Sequence, residues 1–168
     1  MTGYDWSQFH VHMYYLAPIG EVFERFSTPG GLESFYVKTA TITSPDRQPR
    51  DKDERFVTGD LYDFRYVHDF GHDGEILAIE TDTLVSFTFG VCQVDLHFRE
   101  FDGATEVDLH QTGCPLEDPG RAWMHLNCRS YWVYFMTNLR SVLTDGPDLR
   151  DYDNPEWNDS VSIGWVPE

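Results

Sequence analysis

Apolar and polar residues alternate along most of the chain, and this alternation gives way to helical spacing in two places. Period-two stretches predict strands near residues 9–15, 37–43, 62–66, 76–80, 85–89, 94–98 and 107–109. Asp102-Gly103 predicts a tight hairpin turn before the last of these strands. Short strands joined by tight turns predict an antiparallel sheet with one apolar face.

The longest stretch with helical spacing covers residues 121–143, which contain neither proline nor glycine. A wide apolar stripe runs along it, made of Met124, Cys128, Tyr131, Phe135, Leu139 and Val142. Asp145, Gly146 and Pro147 predict its end, because glycine caps a helix and proline cannot continue one.

Two shorter helices are expected after the first strand. Ala17-Pro18 opens the first, whose apolar side carries Val22, Phe23 and Phe26. The segment 27–31 should break it, and a second helical turn should cover 32–36. The polar segment 44–58 predicts an exposed loop, and 69–74 predicts a turn.

This order of elements predicts an α+β domain in which a curved antiparallel sheet of about seven strands packs on the long C-terminal helix. We expect the domain to cover residues 1–146 and an acidic tail to cover 147–168. The tail is rich in turn residues, which favours partial disorder, but Trp157 and Trp165 favour packing on the domain or on a second copy.

Composition narrows the class of protein. The chain has 168 residues, a length typical of one domain, and a formal net charge of -17. Such a negative surface disfavours nucleic acid and anionic membranes as partners. It also suggests that the protein is adapted to high salt, and the alternative is an acidic protein without such adaptation. The sequence shows no signal peptide and no membrane-spanning run, and its three cysteines favour free thiols in the cytoplasm.

Six segments of the chain, in order, resemble the START-like (SRPBCC) helix-grip superfamily. They are 17–36 (APIGEVFERFSTPGGLESFY), 59–66 (GDLYDFRY), 74–80 (GEILAIE), 84–90 (LVSFTFG), 103–113 (GATEVDLHQTG) and 130–143 (SYWVYFMTNLRSVL). Within this superfamily the chain is similar to the branch of the activator of the ninety-kilodalton heat-shock-protein ATPase. The resemblance implies a pocket between sheet and helix, which many members use for apolar small molecules.

Aromatic residues on the predicted inner faces are the candidates for lining that pocket. They are Phe64, Tyr66, Phe87, Phe89, Phe98, Tyr131 and Phe135. The alternative is that these large rings fill the core.

Histidines and carboxylates mark the polar phase of several strands. His12, His97 and His110 could approach one another on the outer face, beside Asp95 and Asp108. Ordinary solvated strand residues are the preferred interpretation, so no metal site is predicted. Catalytic and cofactor-binding signatures are also absent, and we predict neither catalytic residues nor a cofactor.

The leading hypothesis is a non-enzymatic domain that binds a small hydrophobic molecule, as a monomer or a homodimer. One alternative is a protein-interaction or stress-related module resembling the heat-shock-protein ATPase activator. A second alternative is an enzyme of cyclase, dehydratase or hydrolase type on the same scaffold.

Overall fold

A computed structural model describes residues 3–68 and 70–155, and a seven-stranded antiparallel sheet forms its centre. The strands are β1 (Gln8–Tyr15), β2 (Thr39–Thr43), β3 (Leu61–Arg65), β4 (Gly71–Glu80), β5 (Leu84–Phe89), β6 (Cys92–Phe101) and β7 (Ala104–Thr112). Their order in the sheet is β1-β7-β6-β5-β4-β3-β2, so the first strand pairs with the last. Asp102 and Gly103 both have positive φ, as the predicted hairpin turn requires.

Three α-helices accompany the sheet and confirm the α+β prediction. They are α1 (Ile19–Ser27), α2 (Pro29–Glu33) and α3 (Cys128–Val142). The first helix ends at Ser27, within the segment 27–31 that was predicted to break it, but the second helix begins earlier than predicted, at Pro29. Thr28 Oγ1 accepts a hydrogen bond from Gly31 N at 3.0 Å and so caps the helix within that segment.

Two connections differ from their predictions. The loop 44–58 is not wholly exposed, because Phe56 is buried and Arg50 donates to Asp60 Oδ1 at 2.7 Å. The turn predicted at 69–74 lies earlier along the chain, since β4 begins at Gly71 and pairs with β3 from its first residue.

The long C-terminal helix does not start as an α-helix. Its first part, Ala122–Asn127, is a π-helical segment that leads directly into α3. His125 is fully buried in this segment, where its Nδ1 lies 2.9 Å from Trp6 O and its Nε2 lies 3.0 Å from Tyr4 Oη. The regular helical periodicity of the sequence does not predict this inward rotation of a histidine.

One half of the interface between sheet and helices is filled with side chains. Phe98 on β6 meets Phe23 and Phe26 of α1 edge-to-face, at ring-centroid distances of 5.2 and 5.6 Å. Met136 and Leu139 of α3 are completely buried against the sheet. We call this region, which joins α1 and the C-terminal half of α3 to β1, β6 and β7, the closed half.

The start of the tail contacts the domain. Arg150 donates to Val37 O at 2.7 Å and to Glu33 O at 2.8 Å, while Leu149 N donates to Asn138 Oδ1 at 2.7 Å. Trp157 and Trp165, which motivated the prediction of a packed tail, lie outside the described residues. Within the described part of the chain, no helix has the length and apolar character needed to cross a membrane.

Candidate functional site

A cavity of about 410 Å³ lies between the sheet and the N-terminal part of the C-terminal helix. The sheet side contributes Tyr66, His72 and Phe89. The helix side contributes Trp123, Met124, Asn127, Cys128, Tyr131, Trp132 and Phe135. Tyr36, which follows α2, and Arg150 from the tail complete its inner wall. We call this region the open half.

Stacked rings form the walls of the cavity. Tyr36 stacks on Trp132 with ring centroids 5.1 Å apart, and Tyr66 stacks on Phe135 at 5.8 Å. Rings that already stack on one another are rigid and have no free rotamer that fills the remaining space. The helix and the sheet are therefore held apart here.

Gln111 on β7 fixes the position of the central tryptophan. This fully buried amide accepts from Trp132 Nε1 at 2.9 Å and donates to Met124 O at 2.8 Å. One side chain thus connects the sheet to α3 and to the π-helical segment. Because a buried hydrogen-bonded amide has few alternative arrangements, it favours a single cavity shape.

One wall of the cavity carries a short polar chain. The hydroxyls of Tyr36 and Tyr66 lie 2.6 Å apart, and Tyr66 Oη lies 3.4 Å from His72 Nδ1. The other ring nitrogen, His72 Nε2, is buried and has no hydrogen-bond partner among the described residues. Buried polar atoms are nearly always paired, so this unpaired nitrogen, in a residue that lines the cavity, is an exception to that rule.

Four buried ionisable groups of the cavity, Tyr36, Tyr66, His72 and Cys128, are neutral near pH 7, and the positive charge of Arg150 is paired with Asp148. Burial raises the pKa of Tyr36 and of Tyr66 well above the ordinary tyrosine value. Burial lowers the pKa of the His72 imidazole to about 4 and raises the pKa of the Cys128 thiol to about 12. No carboxylate occurs among the described lining residues. The cavity therefore suits an uncharged molecule with one hydrogen-bonding group.

Exposed rings surround the mouth of the cavity. Phe70 is 56% exposed and Trp123 is 45% exposed, and both also line the cavity. His68 stacks on Phe70 at a centroid distance of 6.1 Å. An apolar molecule would meet these rings first as it enters.

The structure separates the predicted pocket residues into two groups. Tyr66, Phe89, Tyr131 and Phe135 line the cavity. Phe64 and Phe87 lie in the packed core beside it, around a void of only about 10 Å³, and Phe98 belongs to the closed half. Whether the four lining residues bind a ligand remains a prediction.

The sequence analysis missed His72, which it assigned to a turn. The alternation of the strand could have identified it. His72 lies two residues before Gly74 and four residues before the buried Ile76, and residues at this spacing share one face of a strand. Tyr36 was also missed as a lining residue, because only the fold brings the segment after α2 against Trp132.

Comparisons with known proteins agree with this architecture. Residues 16–144 match the family of activator of Hsp90 ATPase homolog 1-like proteins. No curated protein matches the sequence. Among solved structures, the protein SSP2350 from Staphylococcus saprophyticus superposes with a TM-score of 0.67 at 23% identity, over 85% of this chain and 96% of that one.

Two further solved structures have the same fold. The Aha1 dimer from Colwellia psychrerythraea has a TM-score of 0.63 at 13% identity, over 81% of this chain and 95% of that one. DynU16, a putative protein in the dynemicin biosynthetic locus, has a TM-score of 0.65 at 19% identity, and the match covers 87% of this chain but only 50% of DynU16. At these identities the likeness concerns the fold alone.

Proposed function

Because this chain belongs to the family of activator of Hsp90 ATPase homolog 1-like proteins, which has the START-like helix-grip fold, we propose that it binds a small apolar molecule in the cavity of its open half. The cavity itself is the observation that carries the proposal. Its volume of about 410 Å³ lies in the range of small-molecule sites, and its lining is almost entirely aromatic and apolar.

The difference between the closed half and the open half supports a ligand-binding role for the cavity, as opposed to a cavity left by imperfect packing. The closed half shows that the same helix and sheet can pack without a comparable space, with Met136 and Leu139 fully buried. An apolar cavity of this size destabilises a domain, because its lining atoms lose their packing partners and apolar surface stays unburied. A bound molecule would restore those contacts.

The polar chain on the cavity wall narrows the class of ligand. His72 Nε2 lacks a partner, and Tyr66 Oη lies on the other side of the same imidazole. A neutral imidazole donates from one nitrogen and accepts at the other, so it can pair with either a carbonyl or a hydroxyl. We therefore propose an aromatic or fused-ring molecule with one such group, which is smaller than a full lipid.

Calorimetric titration with naphthalene and 2-naphthol tests both parts of the proposal. The two probes share a ring system and differ by one hydroxyl. We expect both to bind with a stoichiometry of one, and 2-naphthol to bind more tightly by about tenfold, which corresponds to roughly one hydrogen bond.

Two variants locate the binding. Cys128→Phe places a ring in the cavity and should abolish binding of both probes, whereas Phe98→Leu alters only the closed half and should leave binding unchanged. The absence of binding to the wild type, or equal binding to Cys128→Phe, would refute the proposal. If the probes bind as expected, native mass spectrometry of freshly purified protein would identify the natural ligand.

A second candidate function is suggested by the exposed rings at the cavity mouth. Phe70 and Trp123 could contact a protein partner, and the family name points to a chaperone of the ninety-kilodalton class. A double substitution of both rings by serine should then abolish stimulation of the chaperone ATPase while 2-naphthol still binds. If the double variant loses 2-naphthol binding but stimulates the chaperone ATPase as the wild type does, the small-molecule role alone is favoured.

An enzymatic role on the same scaffold has less support. General acid–base catalysis needs a group that ionises near the working pH, whereas the buried lining residues Tyr66, His72 and Cys128 are neutral, and the second lining histidine, His68, lies at the exposed mouth. Arg150 is already paired with Asp148 at 2.6 Å.

A further inference from the structure

A cluster of metal-ligating side chains lies on the outer face of the sheet, at the edge formed by β1 and β7. His10 and His12 alternate on β1 and therefore point to the same side. In the register of the two strands, His12 is opposite Asp108 and His10 is opposite His110. The three residues His10, His12 and Asp108 form the cluster, which we call the outer-face triad.

The distances within the outer-face triad match a coordination sphere. Asp108 Oδ1 lies 2.9 Å from His10 Nδ1 and 3.5 Å from His12 Nε2, and the three ligand atoms all lie within 4.8 Å of one another. Ligand atoms bound to zinc at about 2.0–2.2 Å, in tetrahedral geometry, are separated by roughly 3.3 Å. We propose that the outer-face triad binds a divalent transition-metal ion, preferentially Zn²⁺.

A buried carboxylate orients one of the ligands. Glu106 lies 3.5 Å from His12 Nδ1, its side chain is only 4% exposed, and it accepts from Tyr14 Oη at 3.0 Å and pairs with Arg99. A carboxylate at one imidazole nitrogen holds the proton there and leaves the lone pair of the other nitrogen free for a metal. In that tautomer the lone pair of His12 Nε2 lies 3.5 Å from Asp108 Oδ1, and a cation would bind both atoms.

The arrangement of the rings places two imidazoles and one carboxylate within reach of a single ion. The His10 ring stacks on His110 at a centroid distance of 4.0 Å and lies parallel to His12 at 5.8 Å, so the edges of the two triad imidazoles face the same side. A single divalent ion binds both neutral imidazoles of the triad and the carboxylate at once. Two histidines and one carboxylate are a frequent ligand set for zinc, with water in the fourth position.

The site is accessible and independent of the cavity. The side chains of His10 and His12 are 46% and 52% exposed. The cavity lies on the opposite face of the sheet, at β3, β4 and β5, whereas β1 is the far edge strand. The net charge of -17 also raises the local concentration of cations.

Calorimetric titration with Zn²⁺ in the presence of excess Mg²⁺ tests the proposal. Mg²⁺ occupies exposed carboxylates, which it prefers, and leaves imidazole sites to zinc. We expect the wild type to bind one Zn²⁺. His12→Ala and Asp108→Asn should each weaken binding by about tenfold to a hundredfold or more, because even losses outside the first coordination shell have effects of that size.

His68→Ala is the matched control, because it also removes one exposed histidine but lies at the cavity mouth. It should bind Zn²⁺ as the wild type does. Circular dichroism should show that all variants are folded, since the His12 side chain is 52% exposed and Asp108→Asn hardly changes the shape of the side chain. The proposal is overturned if the wild type binds no Zn²⁺, or if the triad variants bind it as tightly as His68→Ala.

Discussion

The closed and open halves of the interface are built from the same helix and the same sheet, yet one is filled and the other holds a cavity of about 410 Å³. In the closed half, aliphatic side chains such as Met136 and Leu139 lie between the sheet and α3. In the open half, aromatic rings from opposite sides of the interface stack on one another, as Tyr36 stacks on Trp132. Aliphatic side chains adapt to the space available, whereas stacked rings hold their partners apart.

The polar groups of the two halves differ in the same way. Asn138, in the closed half, donates to Phe35 O at 2.8 Å and accepts from Leu149 N at 2.7 Å. His72, in the open half, has one buried nitrogen without a described partner. The molecule thus leaves both volume and hydrogen-bonding capacity unsatisfied in one place, which is the pattern expected of a binding site.

Truncating a phenylalanine to alanine in each half should give the largest difference in the free energy of unfolding. Phe98→Ala, in the closed half, should lower the free energy of unfolding by roughly 3–5 kcal/mol, because it leaves a cavity in a packed core. Phe89→Ala should cost about 1–2 kcal/mol, because this half-buried ring already borders open space. Urea unfolding of both variants measures the difference, and equal costs would contradict a distinction between the halves.

Enlarging two buried cysteines, one that lines the cavity and one that does not, sharpens the comparison. Cys92→Phe should cost roughly 1–3 kcal/mol, because Cys92 is buried against Cys114, with the sulfurs 4.0 Å apart, and does not line the cavity. Cys128→Phe should change stability by less than about 1 kcal/mol, since the added ring enters the cavity. Thermal unfolding compares them, and a larger loss for Cys128→Phe would mean that the cavity cannot accept a ring.

The pH dependence of stability tests the buried histidine. An unfolded histidine takes up its proton near pH 6.5, whereas the pKa of folded His72 is lowered to about 4 by burial. The unfolded state therefore binds more protons between these values, and stability falls as the pH drops from 6.5 to 4. His72 should account for about 1–3 kcal/mol of that loss.

His72→Phe should reduce this loss and leave stability at pH 7 unchanged or higher, because a ring of similar shape replaces an unpaired polar atom. Denaturant unfolding at several pH values, with the wild type measured in parallel, separates His72 from the many carboxylates that titrate in both proteins. Identical pH profiles would show that the imidazole is solvated in the folded state.

Salt should have the smallest effect and should not distinguish the halves. Because the net charge is -17, molar KCl should screen the self-repulsion of the surface and raise the melting temperature. The rise should be similar in the wild type and in Phe98→Leu, since neither half contains the charges concerned. A melting temperature that stays constant or falls with salt would count against the predicted adaptation to high salt.

Much of the fold could be predicted from the sequence, because strand alternation and helical spacing are local properties. The pairing of β1 with β7 agrees with the helix-grip resemblance, and the apolar stripe from Tyr131 to Leu139 faces the sheet as its spacing predicts. The π-helical segment Ala122–Asn127 could not be predicted, because it depends on tertiary contacts such as those of His125 with the N-terminal segment.

The site was less predictable than the fold. Alternation identifies which residues point inward, but it does not distinguish Phe89, beside the cavity, from Phe87 in the core. That distinction depends on how closely α3 approaches each strand. The outer-face triad depends on the register between β1 and β7, which placed His10 beside Asp108 where the sequence analysis had considered His12, His97 and His110.

The central claim, that the open half is a ligand site and the closed half is not, is tested most directly by NMR. Amide chemical shifts of isotope-labelled protein would be followed during titration with 2-naphthol. We predict saturable shifts at Tyr66, Phe89, Cys128 and Tyr131, and unchanged signals at Leu96, Leu109 and Met136. Shifts confined to the outer surface, or no saturable shifts at the cavity residues, would contradict the claim.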